Sequence, residues 1–312
     1  MAESKLTAKE QVQSIWRLGG LSGKELMSRV WHAAIDEDDL IGRAAELAYN
    51  FIFAVFPLMI FLLSVFGLSA SRGTQLRSNL MFYLAKALPP SAFHVVSQTI
   101  AEISRSTGTG KLTFGIVIAL WFAAGGMTSM ISTLDGVYGV REARSWWKVR
   151  AIAIGLTVAI SVLVTSALTV VLLGGFVANW IGAALNLGPW LIATWEIVQW
   201  PVAVTFLVLS FSLIYFFGPD LEEQHWYWIT PGSLFGVLTW LAASFGFRAY
   251  LHFFNSYSRI YGSLGAVMIL LFWFYVTGLA FLAGGEINAQ IEHAAAEHGH
   301  PEAKAEGQKK AA

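Results

Sequence analysis

The sequence predicts an all-α membrane protein with six transmembrane helices, because charged residues are scarce and long uncharged stretches recur along the chain. Charged residues occupy 13% of the 312 positions, against 56% hydrophobic residues. A soluble domain carries about 25% charged residues. Stretches without Asp, Glu, Lys or Arg cover residues 49–71, 112–134, 151–195, 197–219, 224–247 and 260–285. Each is long enough to cross a bilayer, which takes about 20 apolar residues in a helix.

The third stretch is about twice as long as one helix needs, so the sequence requires a turn within it. Asn186, Gly188 and Pro189 favour a turn at that point. This division predicts spans at about residues 47–70, 112–134, 151–178, 190–217, 228–249 and 263–285.

An even number of spans places both termini on one side of the membrane, and the basic residues predict that this side is cytoplasmic. Loops on the side of the termini carry more Lys and Arg than the opposite loops, and such an excess marks cytoplasmic loops. The clearest anchor is the short loop after the second span, which contains Arg141, Arg144, Lys148 and Arg150.

The regions outside the membrane domain (44–290) are predicted to be an N-terminal arm, a helical loop and a tail. In the cytoplasmic arm, residues 1–43, Leu26, Val30, Trp31 and Ala34 recur at helical spacing, which predicts an amphipathic helix on the membrane interface. The loop at 71–111 is predicted to be periplasmic, with amphipathic interfacial helices. The cytoplasmic tail at 291–312 has little apolar surface and is predicted to be flexible.

Composition excludes several classes of site. The chain has no cysteine, which excludes disulfides, iron–sulfur clusters and thiolate zinc sites. A formal net charge of zero gives no indication of a nucleic-acid partner. No cofactor or metal site is predicted, and His293, Glu297, His298 and His300 are expected to be solvated tail residues. The expected partners are membrane lipids and a small cation or proton.

Glu196 is the ionisable residue predicted to lie deepest in a span, with Gln199 one turn further along the helix. A charge at the bilayer centre costs about 2.5–3.5 kcal/mol on insertion scales, so such residues are candidates for function. A desolvated carboxyl group there could exchange protons or bind a cation. The alternative is that the fourth span begins after Glu196, which would then lie among the periplasmic headgroups.

Glu46 and Glu286 are candidate ion-binding residues at the cytoplasmic ends of the first and last spans, with Asn288 beside the second. Glu286 follows the start of the last span by about 35 Å along the helix. A cytoplasmic cation vestibule is expected if the two carboxyl groups approach each other. The alternative is a structural role, such as capping a helix or pairing with Arg43 or Arg150.

Other polar sets have a packing interpretation beside the functional one. Arg248, His252 and Arg259 flank the outer ends of the last two spans, where they could bind an anionic lipid headgroup or anchor the helices. Gly232 and Gly236 form a small-xxx-small pair that favours helix packing. Hydroxyl side chains recur every four residues on one face of the third span, which is typical of a polar cavity or of a close helix seam. They are Thr157, Ser161, Thr165 and Thr169.

Several short segments carry a family resemblance. Residues 43–49 read RAAELAY and are followed by FPL at 56–58, and the loop at 138–142 reads YGVRE with WK at 147–148. The closing segments read YS at 257–258, YGSLGA at 261–266 and GGEIN at 284–288, with Trp273 between them. Over residues 40–292 the chain resembles the YihY/BrkB family of bacterial inner-membrane proteins. Asn50 and the acidic loop at 220–223 depart from the pattern of that family.

The resemblance implies a location in the bacterial inner (cytoplasmic) membrane and carries over no catalytic residue. Family members are described as virulence-associated proteins and as transporters, with lipid export or sodium–proton exchange suggested, and an older label names a ribonuclease. We therefore expect export of a lipid or other amphiphile, or cation/proton exchange, with a non-transporting assembly factor as the alternative. Ribonuclease activity is not expected, because the chain has no basic soluble domain large enough to hold RNA.

Overall fold

The computed structural model describes residues 16–70, 81–82, 97–98, 109–184, 190–221, 229–253 and 263–297. A 3₁₀ turn lies at Leu18–Gly20 and a π turn at Ala33–Glu37. The long elements are seven α-helices within the described residues: α1 (Gly23–His32), α2 (Leu40–Ala70), α3 (Thr109–Val137), α4 (Trp146–Ala184), α5 (Trp190–Phe217), α6 (Pro231–Phe253) and α7 (Ser263–Glu297).

The predicted fold class, an all-α polytopic membrane protein, is confirmed. Helices α2–α7 correspond in order to the six predicted spans, and no strand occurs among the described residues. Five of them, α3–α7, have described stretches that are long and apolar enough to cross a membrane. Helix α2 has 31 residues, but its side chains beyond Leu58 lie outside the described part of the chain.

The break between α4 and α5 lies where the sequence predicts a turn. Helix α4 ends at Ala184 and α5 begins at Trp190. The residues between them lie outside the described part, as does most of the predicted periplasmic loop at 71–111.

The six long helices alternate in direction, so their ends define two ends of a bundle. Helices α2, α4 and α6 begin at the same end at which α3, α5 and α7 finish. We call this the polar end, because the N-terminal arm and the loops at 138–145 and 218–221 lie there. The opposite end is called the far end.

The apolar core lies towards the polar end. Leu47 of α2, Ile131 and Leu134 of α3 and Phe281 and Leu282 of α7 are at most 1% exposed and belong to the fully buried side chains. Large apolar side chains elsewhere on the long helices face outward, several of them 59–67% exposed, as expected where lipid is the solvent. They include Phe53, Phe122, Val162, Trp200 and Phe245.

Helix α1 is present where the sequence predicts an amphipathic helix, but its apolar face covers protein rather than membrane. Leu26 and Val30 are buried and form a cluster with Ile287 and Ile291 of α7. Trp31 is 69% exposed and does not belong to the buried face. The pattern of apolar residues predicts the helix, whereas its partner depends on the length of α7.

A glycine allows the chain before α1 to lie against α7. Gly19 has a φ of 62°, in the left-handed region that favours glycine. A Cβ atom at this position would overlap the carbonyl of Ile291. Ser22 then starts α1 by forming a capping box with Glu25.

Helix α7 continues past residue 291, where the composition of the sequence predicts the start of a flexible tail. Ile291, Ala294 and Ala295 are at most 6% exposed, beneath the N-terminal arm. The prediction of a flexible tail is therefore corrected for residues 291–297, because the arm supplies the apolar surface that these residues lack on their own. Residues 298–312 lie outside the described part.

Helices α6 and α7 approach each other through glycines, in agreement with the packing interpretation of Gly232 and Gly236. A Cβ atom on Gly232 would overlap the carbonyl of Gly284, and a Cβ on Gly284 would crowd the carbonyl of Gly232. Tyr215 of α5 joins this seam, because its hydroxyl donates a 2.6 Å hydrogen bond to the carbonyl of Phe281. Small residues permit this close backbone contact.

Candidate ion-binding site at the polar end

Glu286 is fully buried on α7, near the polar end. Its side chain is 0% exposed, and its Oε1 atom accepts a 2.9 Å hydrogen bond from Nε2 of Gln290, one helical turn away. Its Oε2 atom is buried without a hydrogen-bond donor. Burying a carboxylate costs free energy unless it is paired or hydrogen-bonded. A proton or a cation at Oε2 would therefore stabilise Glu286.

A second carboxyl group faces Glu286. The Asp38 side chain lies within hydrogen-bonding reach of Glu286, and the charge of Glu37 also acts on Glu286. Asp38 follows the π turn that ends α1, and its backbone carbonyl accepts a 2.6 Å hydrogen bond from Nε of Arg43. Ionising both of two carboxyl groups in contact costs electrostatic free energy, because the two negative charges repel each other. Such a pair therefore favours a shared proton or an intervening cation. We call Asp38 and Glu286 the carboxyl pair.

A polar pocket of about 430 Å³ opens beside the carboxyl pair, between the N-terminal arm and the end of α7. Its wall includes Gln290, whose amide also bonds Glu286. An ion pair between Arg29 and Glu297 spans it, with an N–O distance of 3.0 Å. The lining residues are Arg29, His32, Ala33, Glu37, Gln290, His293 and Glu297.

Asn288 holds the start of α6 rather than facing the carboxyl pair. Its Oδ1 atom accepts a 2.9 Å hydrogen bond from the backbone of Gly232, and its Nδ2 atom donates a 3.0 Å bond to Thr230. Its side chain also interacts with the phenol of Tyr138. Burial, followed by the charge of Glu292, raises the pKa of Tyr138 well above its ordinary value, so the phenol stays protonated.

A buried charge network, formed by Asp135, Glu142, Arg144 and Asp220, lies next to this region. Oδ1 of Asp135 accepts a 2.8 Å hydrogen bond from the backbone of Asp220. Arg144 pairs with Glu142 at 2.6 Å and with Asp220 at 3.4 Å. Asp135 and Asp220 are 4% and 2% exposed. The network therefore joins the end of α3 to the loops before α4 and after α5.

Arg144 is the cation of this network. Burial opposes its charged form, but the hydrogen bonds and charge of Glu142, with the charges of Asp135 and Asp220, outweigh burial and raise the pKa of Arg144. The guanidinium therefore stays charged and compensates part of the buried negative charge.

The three carboxylates that the sequence suggests for ion binding, Glu46, Glu196 and Glu286, do not share one site. Glu46 and Glu196 are both exposed, and neither lines the polar pocket. Glu196 lies in the first turns of α5, about 30 Å from the polar end of that helix. Gln199 donates to the backbone carbonyl of Glu196 at 3.3 Å. Glu286 is thus the one of these three carboxylates that the fold buries.

The ion pair between Glu286 and Arg43 or Arg150, one form of the structural alternative, is not formed among the described residues. Arg43 donates to the Asp38 carbonyl. Arg150 donates to the Thr128 hydroxyl and to the Trp121 carbonyl.

The hydroxyl set on α4 becomes more exposed along the helix. Thr157 is buried and donates a 2.7 Å hydrogen bond to the carbonyl of Ala153. Ser161 and Thr165 are half-buried, while Thr169 is exposed and donates to the Thr165 carbonyl. These two bonds satisfy the hydroxyl groups of Thr157 and Thr169 within their own helix.

The lipid-headgroup candidates and the tail histidines have different surroundings. Arg248 is exposed on α6, whereas the His252 side chain and Arg259 lie outside the described part. His293 lines the polar pocket, and Glu297 pairs with Arg29. No group of three or more His, Asp or Glu side chains suited to a metal occurs among the described residues.

Sequence reasoning missed Asp38 and the buried charge network. The acidic run at 36–39 is visible, and Asp135 and Asp220 each end an uncharged stretch. Those positions indicate helix ends, but they do not indicate which helix ends meet.

Comparison with known proteins finds similarity over most of the chain. The family model described as virulence factor BrkB matches residues 32–308. The ribonuclease-like protein YfkH of Bacillus subtilis is 31% identical over 250 residues, which cover 80% of this chain and 89% of YfkH. UPF0761 membrane proteins of Stenotrophomonas maltophilia and Xanthomonas oryzae are each 26% identical, covering 84% of this chain. The chain spans only 59% of the length of these two relatives. No solved structure matches the chain.

Proposed function

The chain belongs to the BrkB family of membrane proteins, and from that premise we propose that it exchanges protons for a small monovalent cation at the carboxyl pair. Glu286 would bind the proton and the cation in turn, and the carboxyl group of Asp38 would contact the same proton or cation. The proposal assigns no catalytic activity to the chain.

The observation that supports this proposal most directly is the burial of Glu286 without a cationic partner. Its Oε2 atom has no hydrogen-bond donor, and the charged side chains that act on it, Asp38 and Glu37, are acids. Ionisable residues of this kind in membrane proteins mark ion and proton pathways. A proton and a small cation can each satisfy the same pair of oxygens, which is the basis of exchange.

The polar pocket supports the proposal by supplying a route from water. Gln290 lies on the wall of the pocket and bonds Glu286, so a hydrated ion in the pocket is one side chain away from the carboxyl pair. Glu37 places a carboxylate along this route, whereas the charge of Glu297 is matched by Arg29. A carboxylate beside a cleft raises the local concentration of cations.

Replacing Glu286 with glutamine should reduce proton-coupled Na⁺ or K⁺ flux by at least about tenfold. One charge-assisted contact to a buried ion contributes roughly 1.5–3 kcal/mol, and 1.4 kcal/mol is tenfold in affinity. The measurement is the pH change inside proteoliposomes that contain the full chain, after an imposed cation gradient. Asp38→Asn should lower the flux in the same direction.

Glu196→Gln is the matched control, because this carboxylate is exposed near the far end. It should leave the flux at the wild-type level. Equal flux in the wild type and in Glu286→Gln would remove the carboxyl pair from the mechanism. Movement of a headgroup-labelled lipid without cation flux would instead favour lipid or amphiphile export. Absence of both activities in folded wild-type protein would favour the assembly factor.

We also propose that the chain lies in the bacterial inner membrane with its polar end and both termini in the cytoplasm. Arg141 and Lys148 are exposed at that end, beside the more buried Arg144 and Arg150. Positive charge near span ends favours the cytoplasmic side.

Single cysteines should test this orientation directly, because the chain contains none of its own. Lys24 is exposed on α1 at the polar end, and Thr194 is exposed in the first turns of α5 towards the far end. A membrane-impermeant thiol reagent should label Thr194→Cys in cells with a permeabilised outer membrane. It should label Lys24→Cys only after the inner membrane is disrupted. The reverse pattern would invert the topology.

A further inference from the structure

Arg150 is a cation on the outer surface of the bundle, where α3 and α4 meet. It makes no ion pair with a carboxylate in the described part of the chain. Its Nη1 atom donates a 3.2 Å hydrogen bond to Thr128, and its Nη2 atom donates to the carbonyl of Trp121. These two bonds use two of the five N–H groups of a guanidinium. The side chain is therefore held in place while part of its donor capacity and its charge remain unmatched.

One tryptophan lies against this guanidinium, and two further tryptophans pack beside that one. The guanidinium carbon atom lies 4.5 Å from the centre of the Trp121 ring, a cation–π distance. Trp146 packs on Trp147 with ring centres 4.5 Å apart, and Trp146 lies 6.0 Å from Trp121. The three indoles are 37%, 58% and 70% exposed for Trp121, Trp146 and Trp147. Trp146 and Trp147 begin α4, and exposed tryptophans favour the interface between lipid and water, so they indicate that this end of α4 lies near the interface.

The surface around Arg150 is basic on one side and apolar on the other, as the headgroup and the acyl chains of an anionic phospholipid require. Towards the loop, Arg141 and Lys148 are exposed, and the one acid in this segment, Glu142, is occupied by Arg144. On the other side, along α3 and α4, the exposed side chains are apolar, as at Phe122 and Val158. Arg150 lies about 6 Å along α4 from its first residue, between these two zones.

We propose that Arg150, with Trp121, Trp146 and Trp147, binds the phosphate headgroup of an anionic phospholipid. The guanidinium contacts the phosphate, the indoles flank the glycerol region, and the acyl chains lie on the apolar surface of α3 and α4. Arg141 and Lys148 add charge that selects an anionic over a zwitterionic headgroup. This site does not depend on the proposed ion exchange.

The test is lipid binding to the purified full chain in detergent, measured by native mass spectrometry. Wild-type protein should retain phosphatidylglycerol at least about tenfold more tightly than phosphatidylcholine. Arg150→Gln should reduce phosphatidylglycerol affinity about tenfold, and Arg150→Lys should reduce it less, because lysine keeps the charge but loses the planar fork. Lys24→Gln removes an exposed cation from α1, also at the polar end, and should leave the affinity unchanged.

Trp147→Ala provides a second variant in case Arg150→Gln does not fold, because this indole is 70% exposed. It should lower phosphatidylglycerol affinity severalfold. Wild-type affinity in both Arg150→Gln and Trp147→Ala, or equal binding of both lipids by the wild type, would overturn the proposal. Displacement of the lipid by inorganic phosphate alone would also overturn it, since the site would then recognise a free anion.

Discussion

Replacing Gly232 with alanine should prevent α6 and α7 from packing and should lower the stability of the bundle by about 3 kcal/mol or more. The added methyl group would overlap the backbone carbonyl of Gly284 and the side chain of Asn288. A backbone atom in a helix cannot rotate away as a flexible side chain can. The cost therefore appears as separation of the two helices, with loss of the hydrogen bonds that Asn288 makes to Gly232 and Thr230.

Gly246→Ala is the matched control, because Gly246 lies on the same helix and a Cβ atom there would meet open space. Alanine at that position should be neutral or slightly stabilising, since it is a better helix former than glycine. The measurement is the yield of monodisperse protein and its thermal unfolding midpoint in detergent. Equal midpoints for Gly232→Ala and Gly246→Ala would contradict the close approach of α6 and α7.

Replacing Arg144 with glutamine should destabilise the protein by about 3–5 kcal/mol, because it leaves buried carboxylates without their cation. Asp135 and Asp220 are nearly inaccessible, and Oδ2 of Asp135 already has no hydrogen-bond partner. Arg144 also donates a 2.7 Å hydrogen bond to the carbonyl of Gly218. Loss of the guanidinium therefore loosens the loops before α4 and after α5 together.

Arg141→Gln is the control for Arg144, because Arg141 is an exposed arginine three residues earlier in the same loop. It should leave the unfolding midpoint near that of the wild type. Adding Asp220→Asn to Arg144→Gln should recover part of the lost stability, since it removes one uncompensated buried charge. Additive effects of the two substitutions would argue against a coupled network.

The helices were predictable to the extent that they depend on local composition. Whether a stretch crosses a membrane depends on the apolar residues within it, and that sum is readable from the chain. The separation of α4 from α5 was equally accessible, because Asn, Gly and Pro in the sequence between them act on their own backbone. The glycine seam of α6 was visible as a spacing, although its partner, Gly284, was not.

The candidate site was predictable only in part. Glu286 was identified as a candidate because a carboxylate at the end of an apolar span is unusual. Its partner Asp38 was not identified, because the two residues meet only after the N-terminal arm folds back onto α7. Glu46 and Glu196 are also carboxylates in or next to an uncharged stretch, but both are exposed. The burial of a side chain depends on which face of its helix meets a neighbour.

The order of the six long helices follows from the chain alone, because the apolar residues that mark each helix lie within its own stretch of sequence. The meeting of Asp38 with Glu286, the network around Arg144 and the packing of α1 on α7 depend on contacts between distant segments. Such contacts are set by how helices of given length pack side by side. The chemistry at the polar end therefore comes from ordinary acidic residues that the fold removes from water and places together.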